Sequence, residues 1–222
     1  MTDTPVPLRL LAVCQVDAVG PPEHALLSTL EELAARGWQA TVTTPGLEND
    51  GARPAAIDAA LRWEPLELGG LAHGAGARAV ASWPRAWRLA REHDLVYLNG
   101  SVAGRLLPAL RGRATALHIH DAVRRVPRHW LGADVVLADS RSSGVLLDPL
   151  EVHVVGSPLG LDDARSGADV EIITLADYAE SLDALLRAAV GHHRRGSEGA
   201  ARAGARRAAR TPRGASEPQE PS

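Results

Sequence analysis

The sequence predicts an α/β protein: one doubly wound, mostly parallel sheet of about seven strands, with a helix after the last strand. Three observations carry this expectation. Short apolar runs alternate with segments of helical period along the first 190 residues, the pattern of a parallel sheet with crossover helices. Proline and glycine punctuate the starts and ends of those segments. Hydrophobic residues make up 45% of the 222-residue chain and aromatics only 3%, with no Phe, so Leu, Val and Ala must fill the core.

The elements follow in order. Leu8 to Cys14 is apolar except for Arg9, which suits a strand covered on both faces. Pro21-Pro22 opens a helix whose apolar face is Leu26, Leu27, Leu30, Leu33 and Ala34, with Gly37 as its C-cap. Gln39 to Thr44 is the second strand, completing a βαβ unit. Leu47 to Trp63 reads as a long loop with a helical turn at Ala55 to Leu61. A short third strand is expected at Leu66 to Leu68, and a Gly-rich loop at Gly69 to Gly76. Ala77 to Glu92 is helical, broken or restarted at Ser82-Trp83-Pro84, with Trp83 and Trp87 as core residues one turn apart. Leu95 to Leu98 is a strand ending in Asn99-Gly100-Ser101, and Val102 to Leu110 a helix. Ala114 to Ile119 is a buried strand ending in His120-Asp121. Arg124 to Leu131 is a short helix, Val135 to Ala138 a strand ending in Asp139-Ser140-Arg141, Ser142 to Leu150 a helix, and Val152 to Val155 the last strand. Leu175 to Val190 is an amphipathic helix with Leu175, Tyr178, Leu182, Leu185, Leu186 and Ala189 on one face.

Residues 1–190 thus form one domain. Residues 191–222, rich in Ala, Gly, Arg, Ser and Pro, are expected to be a disordered tail. All 24 basic residues are Arg. The tail holds seven Arg against three Glu, a net of +4, so with −3 for the whole chain the body is at −7. A body of that charge, without a basic stripe and interleaved aromatics, excludes nucleic acid as a partner. The single Cys14 excludes an internal disulfide and favours a reducing compartment. The first residues lack signal-peptide character and no apolar run is long enough to span a membrane, so a cytoplasmic location, with peripheral membrane association as an option, is expected.

Right-handed crossovers place every strand-to-helix loop along one edge of the sheet, where ligands bind in open α/β folds. Those loops carry Gly20, Asn99, Ser101, His120, Asp121, Ser140 and Arg141, with Glu23 in the first turn of the first helix. His118 and His120 face the same way as a strand's i and i+2 residues and could pair on a metal, but no third and fourth ligand is evident, so no metal is expected. Gly74-Ala-Gly76-Ala-Arg-Ala79 mimics a dinucleotide fingerprint but follows the third strand rather than the first, so no cofactor is expected either. Gly20 would admit a phosphate to the first helix N-terminus, although Pro21 and Pro22 remove two donors there.

The order of pieces from about residue 8 to residue 162 resembles the N-terminal, Rossmann-like domain of retaining GT-B glycosyltransferases of the group-1 or family-4 type. The pieces are Leu10–Cys14 with Val19–His24, Leu30–Gly37 with Ala40–Pro45, His93–Ser101, Leu117–Asp121, Ala133–Ser140 and Val152–Asp162. The resemblance implies that the chain holds an acceptor, a sugar or a lipid-linked one, and that His120 lies near the reaction centre. It also implies that Gly20 meets the phosphates of a nucleotide-sugar donor serving as co-substrate, and that Ser101 and Ser140 face the cleft. Residues 171–190 resemble the C-terminal helix of these enzymes, which crosses back onto the first domain. The donor-binding domain that should separate the two has no room between Asp162 and Ile172. The chain therefore reads as the acceptor-binding half of a transfer system, with a donor-domain protein or glycosyltransferase as partner in trans. The alternatives are a non-catalytic sugar- or partner-binding regulatory protein and a degenerate remnant of a glycosyltransferase.

Overall fold

The computed structural model describes residues 6–14, 21–44, 61–68, 75–120, 123–156 and 173–210, with the backbone alone at 21–24, 44, 75 and 200–210. Seven parallel strands form one sheet: β1 (Leu8–Val13), β2 (Trp38–Thr44), β3 (Arg62–Pro65), β4 (Leu95–Asn99), β5 (Thr115–Ile119), β6 (Val135–Ala138) and β7 (Val152–Val154). Their order across the sheet is β3-β2-β1-β4-β5-β6-β7. The direction of winding reverses between β1 and β4, which is the point where such sheets open a crevice at their carboxyl ends.

Each central strand is apolar on both faces because helices cover both. On one face Leu10, Ala12, Val42, Tyr97, Ala116 and Leu137 pack under α1 (Pro21–Ala35) and α4 (Leu175–Arg210). On the other, Leu11, Val13, Leu98, Leu117, Ile119 and Val136 pack under α2 (Ala75–Arg91) and two 3-10 helices, Ala103–Leu110 and Arg128–Gly132. Gly37, at φ +90°, turns the chain from α1 into β2, a backbone conformation that favours glycine.

Several expectations are corrected. The third strand is Arg62–Pro65, not Leu66–Leu68. As the sheet edge it carries Arg62 and Glu64, joined at 2.8 Å, so it lacks an apolar signal, and Leu66 and Leu68 are core residues beyond its end. Helix α2 runs unbroken through Pro84. Proline forfeits one hydrogen bond there, but Ala79, Ala86, Leu89 and Ala90 bury the opposite face, the Ser82 hydroxyl bonds the Glu67 carbonyl, and Arg85 Nε donates to the Pro65 carbonyl at 2.6 Å. Trp83 packs against the core, whereas Trp87 is 43% exposed, its ring 4.8 Å from the Arg91 guanidinium. The segment after β4 is a 3-10 rather than an α-helix. Ala103, Leu106, Leu107 and Leu110 are buried there, and Pro108 removes a donor. A Cβ on Gly104 would lie 2.6 Å from Trp130 Nε1, so glycine lets this segment approach the second 3-10 helix, which spans only Arg128–Gly132. The helix after β6, α3, is a single turn, Arg141–Val145. The helical turn expected at Ala55 to Leu61 falls outside the described residues except for Leu61, and of the loop expected at Gly69 to Gly76 only Ala75 and Gly76 are described, where they open α2.

Helix α4 is capped by Thr174, whose hydroxyl accepts from Asp177 N at 3.1 Å. It crosses the sheet face against the strand direction. Tyr178 lies under the carboxyl end of β5, while His193 approaches Asp134 (3.6 Å) and Arg194 pairs with Asp94 (2.9 Å) at the amino ends. It continues to Arg210, so the part of the expected tail from 191 to 210 has helical backbone, and residues 211–222 lie outside the described set.

Candidate functional site

The carboxyl ends of β4, β5 and β6 bring a set of polar side chains together at the edge of the core. The register explains how. β4 pairs with β5 through Asn99↔His118, and β5 with β6 through Ile119↔Ala138, so the next positions, His120 and Asp139, emerge side by side. Residues two apart on a strand share a face, which places Tyr97 with Asn99 and His118 with His120 beneath α4.

Asp139 lies between the two histidines. Its Oδ1 is 2.7 Å from His118 Nε2 and its Oδ2 2.7 Å from His120 Nδ1. The imidazole rings are 4.0 Å apart. His118 has no exposed surface, while the side chains of His120 and Asp139 are 25% and 26% exposed. Behind His118, Nδ1 accepts from the Tyr97 hydroxyl at 2.5 Å, and the Tyr178 hydroxyl of α4 stands 3.5 Å away. On the other side, His120 Nε2 is 2.7 Å from Asn99 Oδ1. One polar chain thus runs Tyr178, Tyr97, His118, Asp139, His120, Asn99, from the returning helix to the mouth of the sheet.

The electrostatics follow from burial and these contacts. Burial opposes the charge of Asp139, but the two imidazoles outweigh it and hold the carboxyl well below the usual range, so it is ionised. Burial, and then the neighbouring His120, push His118 down from its ordinary value. The downward shift favours the neutral ring, which donates from Nε2 to the Asp139 carboxylate. Burial raises both tyrosines, which stay protonated and able to donate. His120 meets an acceptor on each side, a carboxylate oxygen at Nδ1 and a carboxamide oxygen at Nε2. A neutral ring carries one N–H and satisfies only one of them.

The structure brings His120 and Asn99 into contact and adds His118, Asp139, Tyr97 and Tyr178 to them. Ser140 is buried at the start of α3 and acts as its N-cap, its Oγ accepting from Ser143 N at 3.1 Å and contacting the Ser142 and Ser143 hydroxyls at 2.9 Å. Arg141 is exposed on a separate groove of about 520 Å³ between β7 and α4, lined also by Val154, Gly156, Ile173, Asp177 and Leu185. Ser101 is half-buried at the end of β4. Gly20 and Asp121, and the side chain of Glu23, fall outside the described residues. Sequence reasoning passed over Asp139, Tyr97 and Tyr178. A signal existed for Asp139, which ends β6 as His120 follows β5, and for the two tyrosines, the only ones in the chain.

No protein-family model matches the chain. No curated protein matches it in sequence. Solved structures do match in fold. MurG from Acinetobacter baumannii superposes with a TM-score of 0.51 at 18% identity, over 68% of this chain and 45% of that one. A UDP-N-acetylglucosamine 2-epimerase gives 0.51 at 14% identity, over 68% and 49%. A sucrose-phosphate synthase from Thermosynechococcus elongatus gives 0.52 at 15% identity, over 81% of this chain and 97% of that one. The chain spans about half the length of the MurG and epimerase chains. The likeness is one of fold: this is a GT-B-like, Rossmann-type α/β unit with a C-terminal helix packed back on it.

Proposed function

We propose that the chain is the acceptor-side lobe of a GT-B-type glycosyl transfer system whose nucleotide-sugar donor is held by a lobe from a separate chain or from the rest of a longer one. The observation that carries this reading is the position of His120. It is a quarter exposed at the carboxyl edge of β5, one strand from the winding reversal, and is oriented by Asp139 and Asn99. An acceptor hydroxyl entering the crevice would meet Nε2 where the Asn99 oxygen now sits, and Asp139 would steady the positive charge His120 gains on taking a proton. Retention at the anomeric carbon and a cytoplasmic setting belong to the same proposal.

The test is ligand-observed NMR on the full chain with a panel of glycosides and lipid-linked sugars, alongside UDP-hexoses. Glycoside binding is expected, weakened about tenfold in His120→Ala, with no UDP-hexose binding tighter than about 1 mM. The proposal fails if no glycoside binds, if the variant binds as the parent does, or if a UDP-hexose binds tightly to the chain alone. A second reading, sugar binding without chemistry, is favoured by the engagement of both His120 nitrogens with protein groups. Transfer to a bound glycoside when a donor lobe is supplied would dismiss it.

A further inference from the structure

We infer that His118, His120 and Asp139 form a binding site for one borderline divalent metal ion of the Zn²⁺ class, with an open coordination position facing the crevice. This inference does not rest on the acceptor-lobe reading.

Among the described residues, these three are the one group of metal-ligating side chains whose ligand atoms all converge, within 4.8 Å of one another. The inner atoms are His118 Nε2, His120 Nδ1 and the Asp139 carboxylate, an N2O set that suits Zn²⁺ or Fe²⁺ rather than the oxygen-seeking Mg²⁺ and Ca²⁺. The outer atoms complete the case. A ligating histidine almost always donates its remote N–H to an acceptor that fixes its orientation. His120 Nε2 lies 2.7 Å from the Asn99 carboxamide oxygen, which accepts the ring N–H when Nδ1 gives up its own hydrogen to hold a metal. His118 Nδ1 meets the Tyr97 hydroxyl, which accepts from an N–H as readily as it donates, so this ring can also turn its Nε2 lone pair inward.

Access fits as well. His118 is sealed into the core, while His120 and Asp139 are each a quarter exposed at the strand ends. An ion held by the three would keep its remaining position toward the crevice, where an oxygen ligand, from water, a hydroxyl or a phosphate, would complete it. Three protein ligands with one position open is the arrangement of reactive rather than structural zinc.

The experiment is a titration of the untagged, chelator-stripped chain with Zn²⁺ against a competing chromophoric chelator, and in parallel with Co²⁺ read by its visible ligand-field spectrum. One equivalent is expected to bind with a Kd of about 1 µM or tighter. The Co²⁺ spectrum should show intense, low-symmetry bands of a four- or five-coordinate nitrogen-containing site. His120→Ala and Asp139→Asn should each lose at least about a hundredfold, and Asn99→Ala about tenfold through the lost orienting bond. A His192→Ala, His193→Ala double variant, altered where α4 passes the amino ends of the strands, should bind as the parent does. The inference is overturned if the parent shows no saturable equivalent, if its Co²⁺ spectrum is that of a weak octahedral oxygen site, or if only the α4 double variant loses the metal. Should His120→Ala or Asp139→Asn fail to fold, the stoichiometry and spectrum of the parent decide the matter alone.

Discussion

Replacing Asp139 in two different ways separates a working hydrogen-bond acceptor from a bystander. In Asp139→Ala both imidazole N–H groups lose their partner. Each bond runs to a charged acceptor at 2.7 Å, worth about 1.5–3 kcal/mol in such settings. Because the site is a quarter open, water recovers part of this on the His120 side, but none reaches His118. The expected loss is about 3 kcal/mol, or roughly 6–12 °C in Tm for a chain of this size. Asp139→Asn behaves differently. The amide oxygen still accepts from His118 Nε2, and the amide –NH2 donates to Nδ1 of a neutral His120, whose N–H moves to Nε2 and the Asn99 oxygen. Every group remains partnered and only the charge assistance is lost, about 1 kcal/mol. The assay is urea unfolding at pH 7 in the presence of a chelator, followed by tryptophan fluorescence and circular dichroism. Equal losses for the two variants, or a loss below about 1 kcal/mol for the alanine, would refute the assignment of Asp139 as the centre of the network.

Two further outcomes are expected from the structure. Leu186→Ala, at a position of α4 with no exposed surface, should cost about 2–5 kcal/mol in the same unfolding experiment, and a loss under about 1 kcal/mol would mean that α4 is not part of the cooperative core. Burial lowers the pKa of His93, which fits its neutral form: Nδ1–H donates to the Leu89 carbonyl at 2.7 Å and Nε2 accepts from Thr41 at 2.9 Å. Between the depressed folded value and 6.5 the unfolded chain binds the extra proton, so the His93 contribution is complete above about pH 6.5 and is lost as pH falls from there. His93→Gln should therefore flatten the stability profile on the acid side of pH 6.5, and an unchanged slope would contradict this.

Much of the fold was legible because it is written in local periodicity. The apolar runs at Leu8 to Cys14 and Val135 to Ala138 announce β1 and β6 within a residue. Leu26, Leu27, Leu30 and Leu33 are all buried on α1, as their spacing implies. The departures have separate physical causes. β3 hides behind Arg62 and Glu64 because an edge strand need not be apolar, α2 runs through Pro84 because its buried face outweighs one missing donor, and Trp87 lies at the surface because residues one turn apart share a side but not a depth.

At the site, the sequence alone determined that His120 follows a buried strand on the edge where the loops gather, since element order and the right-handed crossover settle that without any long-range detail. Only the tertiary structure decided what His120 touches. Asp139 and Asn99 are 19 and 21 residues away, and Tyr178 reaches His118 across 60. Side-chain period is a property of neighbours along the chain. Which strand end stands beside which, and in what register, is a property of the sheet. The pairing of β4, β5 and β6 turns five scattered polar residues into one cluster, and the return of α4 adds Tyr178 behind it.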